Sequence, residues 1–354
     1  MWILNKETDK VDRYLQLMKD NLSIRFRLVN LLGGKKLKTK VIPKELTNTR
    51  SYQFLDENRF WKYLIAEPHE LLNMHNELFS YIINDSFIQE EWEEVLKGSD
   101  NMNLRAKYSS INSTNDNKEI DFIKHMFNYK NYIQSNKHIS FGISKIMDIN
   151  TCTYCNQQYI ITIEEGETKL IRPEFDHWLP QCYYPDLALS YYNLIPSCKH
   201  CNSTLKHDKM MTFDKYIHPY NDDKTGFSFR YIPMGNGYSV DVQIDESLSN
   251  DYQQKVKETL RLFKTQEIYN AHSEFELKDL LEISRDYPGD YIETLLNTVI
   301  KDLNVSEEDV YRMLFGIEYE VMKHHIRPFS KFKNDIIKQI KKERNNNGSV
   351  QNIV

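Results

Sequence analysis

The sequence predicts an α+β fold, mostly helical, built around a small central module. Two Cys-x-x-Cys pairs, Cys152/Cys155 and Cys198/Cys201, bracket the middle of the 354-residue chain. Apolar residues recur at helical spacing on both sides of that stretch. Beyond it, one run alternates apolar and polar residues around a Gly-Asn-Gly turn, which reads as a β-hairpin. The expected organisation is a helical region 1–145, a metal module 146–222, a hairpin plus helices over 223–345, and a disordered tail 346–354.

Composition bounds the class. The hydrophobic fraction of 40% suits a folded chain, and 27% charged residues give a very polar surface. MWILNKETDK reaches its charges too soon for a secretory leader, and no apolar run approaches the ~18 residues that cross a bilayer. A soluble, cytoplasmic protein is expected. Four of its five cysteines fall in tight pairs, which fits metal binding in a reducing compartment better than a disulfide framework. Cys182 is left over and reads as a partly buried thiol. The net charge of −5 hides two basic segments. Lys19–Arg50 holds nine basic residues against two acidic ones, and Arg327–Arg344 holds seven against two. Either segment suits a phosphate-facing surface or a solvated helix face.

Taken in order, Val11, Leu15, Met18 and Leu22 mark a first helix that stops near Gly33-Gly34. A basic loop follows to Pro43. Residues 57–82 read as helix, with Phe60, Trp61, Leu64, Leu71, Leu72 and Leu78 as its large apolar side chains. An acidic helix over 85–97 ends near Gly98. Ser109–Lys118 is the best linker candidate, and a helix over 119–134 follows it. After the central module, Phe227, Phe229 and Tyr231 alternate, then Tyr238, Val240 and Val242. Helix resumes over 249–270 and breaks at Pro288-Gly289. Ser306-Glu-Glu-Asp309 reads as a capping box opening a helix to about His324. A basic helix follows Pro328.

In the centre, each Cys-x-x-Cys offers two sulfurs to one metal, and the 42 residues between the pairs must fold back for the pairs to meet. Tyr159–Ile163 alternates as a strand, Gly166 turns, and Lys169–Phe175 returns. Asp186–Tyr192 and Lys199–Lys206 can each make a short helix. A module of about 70 residues seldom gains more than ~3–5 kcal/mol from its own core. Structural zinc supplies ~10–16 kcal/mol. A redox Cys-x-x-Cys would need neither a second copy nor the fold-back. Asp176-His177 follows the return strand, and an Asn193-Leu-Ile-Pro196 turn leads into the second pair and Asn202.

That compound pattern resembles the HNH endonucleases, the ββα-metal fold with an accessory zinc site. The likeness covers about residues 148–220: two Cys pairs flanking Asp176-His177…Pro180, Asn193-Leu-Ile-Pro196 and Asn202. It implies that His177 is the general base that activates water against a phosphodiester. It implies that Asp176 and Asn202 hold one Mg²⁺ or Mn²⁺, that Asn193 braces the loop orienting His177, and that Lys206 binds phosphate. Asn202 stands where the family more often has His, and its neutral oxygen is the weaker ligand. The longer architecture resembles the HNH subunit of Septu-type and related anti-phage defence systems, which act with an ATPase partner. No G-x-x-x-x-G-K-[ST] loop occurs in this chain itself.

Other readings weigh against these. A catalytically silent zinc module that binds nucleic acid (DNA favoured, RNA possible) or a protein needs none of Asp176, His177, Asn193 and Asn202. His200 and His207 could replace Asn202 as ligands, although histidines on a short surface helix are usually only that. Tyr183, Tyr184, Tyr191 and Tyr192 could stack on bases, but packing of the short helix is the plainer role. Lys199, Lys209 and Lys215 would add phosphate-facing charge.

Overall fold

A computed structural model describes residues 3–22, 42–96, 98–111, 117–235, 237–286 and 306–351. It is mixed α/β and 54% helical, and the sheets among the described residues are three antiparallel strand pairs. The basic stretch 23–41, the middle of the expected linker (112–116) and the Pro288-Gly289 break lie outside the described residues.

Helix α1 (Thr8–Leu22) buries Val11, Tyr14, Met18 and Leu22, the stripe its spacing predicts plus Tyr14. The helix expected over 57–82 is two. Helix α2 (Arg50–Phe54) is followed by α3 (Glu57–Ile65) and α4 (Pro68–Ile83). Pro68 cannot sit inside a continuous helix, because its ring displaces the backbone of the preceding turn. It opens α4 instead, with Glu67 and Glu70 forming a reciprocal capping box. Helices α5 (Gln89–Leu96) and α6 (Met102–Lys107) complete this layer. Helix α7 (Lys118–Met126) starts at the Asn117 cap and stops short of residue 134, where a separate wide turn covers Lys130–Gln134. Helix α8 (Lys137–Met147) ends at Asp148 in a left-handed conformation.

The central strands β1 (Ile163–Glu165), β2 (Thr168–Ile171), β3 (Glu174–His177) and β4 (Leu194–Ser197) come next. The expected hairpin then forms from β5 (Phe227–Met234) and β6 (Gly237–Ile244), paired without a slip from Phe227↔Ile244 to Met234↔Gly237. The helix expected over 249–270 divides at Lys264, whose φ of 50° interrupts the helical path, into α9 (Asn250–Leu262) and α10 (Thr265–Asn270). Helix α11 spans Lys278–Asp286. The Ser306–Asp309 capping box opens α12 (Glu307–Phe315) as its sequence predicts. Gly316, at φ 65°, ends it nine residues before His324, because a left-handed residue caps the last carbonyls. Helix α13 (Ser330–Gln351) continues past residue 346, where composition alone predicts a disordered tail.

The apolar interior is one connected cluster running from Leu4 to Ile340. Polar groups tie the N-terminal helices to the central segment across it. Tyr14 donates to the Leu189 carbonyl at 2.5 Å, and Ser190 donates to the Tyr63 carbonyl at 2.6 Å. His75 Nδ1 meets Asp186 Oδ1 at 2.8 Å, with both side chains fully buried. Part of the C-terminal basic run is taken up by internal pairs: Arg327–Glu318, Lys331–Asp335 and Lys333–Glu276 lie at 2.7–2.8 Å. Lys338, Lys341 and Lys342 remain exposed.

One buried histidine makes stability depend on pH. His218 is enclosed, its ring packed against Trp178 and Phe213. Burial pushes it from an ordinary 6.5 to about 3, and the Lys255 ammonium adds to the effect. Between these pH values the unfolded chain takes up the proton and the folded chain does not. The stability His218 contributes is therefore full above pH 6.5 and is lost as pH falls toward 3. Melting temperature should drop from pH 7.5 to pH 5. A His218→Gln protein should start lower and lose less over that interval; equal slopes for the two proteins would refute the assignment.

Candidate metal centre and active site

The thiols converge. Sγ atoms of Cys152, Cys155, Cys198 and Cys201 all lie within 4.8 Å of one another, and all four residues are buried. A tetrahedral zinc shell with bonds of about 2.3 Å spaces its sulfurs by about 3.8 Å, so the donor set fits a metal such as zinc. Burial raises the Cys152 thiol well above its ordinary value. Four sulfurs packed this closely in a dry interior cannot all ionise without a cation, and a divalent metal supplies that charge.

The knuckles are shaped by the chain beside them. Asn156 takes a φ of 52°, which turns the backbone just past Cys155. Its amide donates to Thr151 Oγ1 and to the His324 and Arg327 carbonyls, which welds the first knuckle to the segment before α13. Tyr269 donates to the Cys155 carbonyl at 2.7 Å. The second knuckle opens a short wide helix, His200–Lys206, whose end is marked by a His207 N–H to Asn202 carbonyl bond at 2.8 Å.

Strand assignments here differ from the sequence reading. The return strand expected over 169–175 is split at Pro173, which has no N–H to donate to a ladder. Its first half, β2, pairs with β1; the second, β3, pairs with β4. Residues 194–197, expected as a turn, are that fourth strand, and every residue in it is buried. The register Asp176↔Ile195 and His177↔Leu194 brings the second knuckle and its helix back beside Asp176-His177. Two strands followed by a helix therefore carry Asp176, His177, Cys201, Asn202 and Lys206.

Successive side chains leave a strand on opposite faces. Asp176 turns toward the helix and the first knuckle. It is 2% exposed, and Tyr154 donates to its Oδ2. Lys206 Nζ reaches Asp176 Oδ1 at 3.0 Å and the His177 carbonyl at 2.6 Å. Lys206 is itself 1% exposed, which corrects its expected role. A charge this deep and already paired is not presented to a phosphate; desolvation is offset by Asp176. Asn202 does not meet Asp176 directly. Its Nδ2 donates to Glu174 Oε2 at 2.9 Å, two residues earlier on the same face of β3.

His177 leaves the other face. Its Nε2 meets the Ala188 carbonyl at 3.0 Å, and Tyr129 packs edge-on against the ring at 4.5 Å. Burial lowers its pKa from 6.5 to about 4, so the imidazole is neutral at pH 7. A carbonyl can only accept, so Nε2 carries the proton and Nδ1 keeps the lone pair. Nδ1 makes no hydrogen bond among the described residues.

Asn193 is fully buried and bonded across the 178–193 loop. Its Oδ1 accepts from Leu179 N at 2.7 Å, while Nδ2 donates to the Leu179 and Leu187 carbonyls at 3.1 and 3.0 Å. Replacing it by Ala would orphan three backbone groups in the interior. We expect a loss on the order of 3 kcal/mol, read as a lower denaturant midpoint at unchanged slope. An unchanged midpoint would show that the brace is dispensable.

Lys199, Lys209, Lys215 and His200 are exposed around the short helix. His207 is exposed and pairs with Asp208, away from the carboxylates of β3. Tyr184, Tyr191 and Tyr192 are buried and Tyr183 partly so, the packing role of the two weighed. Cys182 lies at the surface, with burial enough to raise its thiol above the ordinary value. Glu174 is the site residue that sequence reading missed. Its signal was its place two residues before Asp176 on a strand.

No family model matches the chain, and no solved structure matches it. It is similar to the Septu protein PtuB of Bacillus thuringiensis, with 30% identity over 120 residues, 34% of this chain and 42% of that protein. It is also similar to Protein ea31 of Escherichia phage lambda, with 31% identity over 83 residues, 23% of this chain and 24% of that protein. The chain thus spans less than half the length of either relative. Among the described residues no helix is long and apolar enough to cross a membrane.

Proposed function

We propose that the chain is a metal-dependent endonuclease of the HNH type, held together by structural zinc and acting on nucleic acid, DNA before RNA. The observation that carries this reading is His177: a neutral, buried imidazole, oriented through Nε2 by a backbone carbonyl and next in the chain to Asp176, within a strand–strand–helix unit.

Asp176 and Asn202 would hold a hard Mg²⁺ or Mn²⁺, with the Lys206 ammonium already neutralising one oxygen of Asp176 and the Glu174 carboxylate bonded to the Asn202 amide nitrogen. When bound, such an ion stabilises charge on the phosphate and on the leaving oxygen. His177 takes the proton from the attacking water at Nδ1, and Ala188 fixes the ring for that transfer. Asn193 keeps the loop carrying Ala188 in place. The exposed Lys199 and Lys209 steer the polyanion toward the helix.

Similarity to a Septu protein, with the resemblance of the longer architecture, supports a place in an anti-phage defence complex gated by an ATPase partner. The test is incubation of wild-type and His177→Ala protein with plasmid DNA and with total RNA, with and without Mg²⁺ or Mn²⁺. Cation-dependent cleavage by the wild type alone is expected. Equal cleavage by both proteins, or none by the wild type with or without an ATPase partner, would remove the reading.

A further inference from the structure

Resting on that reading, we infer that Glu174 is a positioning residue: it turns the Asn202 amide so that the oxygen, and not the nitrogen, faces the divalent cation. A carboxamide binds a hard cation only through Oδ1, because its NH₂ group is a donor with no lone pair to give. A free amide can present either end. Here the choice is made by a carboxylate, which accepts and cannot donate.

Glu174 Oε2 takes the Asn202 Nδ2 hydrogen at 2.9 Å and also receives Ser203 Oγ at 3.3 Å. The nitrogen is thereby held against β3, and Oδ1 has no hydrogen-bond partner among the described residues. The backbone fixes this pairing. Glu174 and Asp176 are two apart on β3, and Asn202 and Lys206 are four apart on the short helix. Strand and helix therefore meet as two matched rungs, Glu174 with Asn202 and Asp176 with Lys206. Groups that orient metal ligands in this way are worth about 10–100-fold in metal affinity.

The experiment is Mn²⁺ titration of the zinc-loaded full chain, followed by electron paramagnetic resonance, for wild type, Glu174→Ala, Glu174→Gln, Asn202→Ala and the Glu174→Ala/Asn202→Ala double variant. Glu174→Ala should bind Mn²⁺ about 10–100-fold more weakly at unchanged zinc content. Glu174→Gln, which keeps an acceptor oxygen, should stay close to wild type. In the Asn202→Ala background Glu174→Ala should cost nothing further, since it acts through the amide. Unchanged affinity in Glu174→Ala would overturn the inference. So would an equal loss in Glu174→Gln, which would make the carboxylate a direct ligand, or an undiminished loss in the double variant. Wild type that binds Mn²⁺ in this pattern but cleaves nothing leaves the inference standing and removes the nuclease reading; wild type that binds no Mn²⁺ removes both.

Discussion

Cys198→Ser is expected to abolish stoichiometric zinc and to unfold the centre of the molecule. Its sulfur is one of four packed within 4.8 Å, and a shell reduced to three thiolates forfeits much of the ~10–16 kcal/mol that such an ion contributes. Few domains hold more than ~5–15 kcal/mol in total, so the loss is not absorbed locally. The damage should also spread. The first knuckle carries the bonds from Asn156 to the His324 and Arg327 carbonyls and the bond from Tyr269 to Cys155, so α10 and the start of α13 lose their anchor with it. Zinc content by atomic absorption and thermal melting report this together. A chelator added to wild type under mild denaturant should reproduce the phenotype. A Cys198→Ser protein that keeps its metal and melts like wild type would show that the sulfurs meet for some other reason.

His177→Ala is the contrasting case: a large kinetic loss in a protein that stays assembled. Removing a positioned general base costs about 10²–10⁴-fold in rate. The ring packs against Tyr129 and the 187–189 turn, so its removal also leaves a small void, worth about 1–3 kcal/mol. Zinc content should be unchanged, and binding of nucleic acid measured in EDTA should match wild type. Single-turnover cleavage in Mg²⁺ should fall by at least two orders of magnitude. A fall of less than tenfold would assign the proton transfer to another group.

Much of this site was legible in the sequence because its signals are local. A Cys-x-x-Cys is a knuckle wherever it occurs, and two of them need only a fold-back to meet. Asn193, singled out in the sequence, forms three loop bonds. The β5–β6 hairpin and the Ser306 cap were readable for the same reason: each is decided by residues a few positions apart. Helix interruptions at Glu67, Lys264 and Gly316 were missed because periodicity continues across them, while a proline ring or a left-handed residue breaks the backbone.

What the sequence by itself determined is a mostly helical α+β chain, a tetrad of thiols and the short list of polar residues beside it. Only the tertiary structure decided how those residues are shared out. Pairing of β3 with β4 sets the strand against the short helix, and from that register Lys206 goes to Asp176 and Asn202 to Glu174. The reason is physical: a lysine looks the same in sequence whether it faces solvent or a buried carboxylate. Its charge becomes a phosphate ligand or an internal counter-ion only when the fold fixes which of the two is within 3 Å.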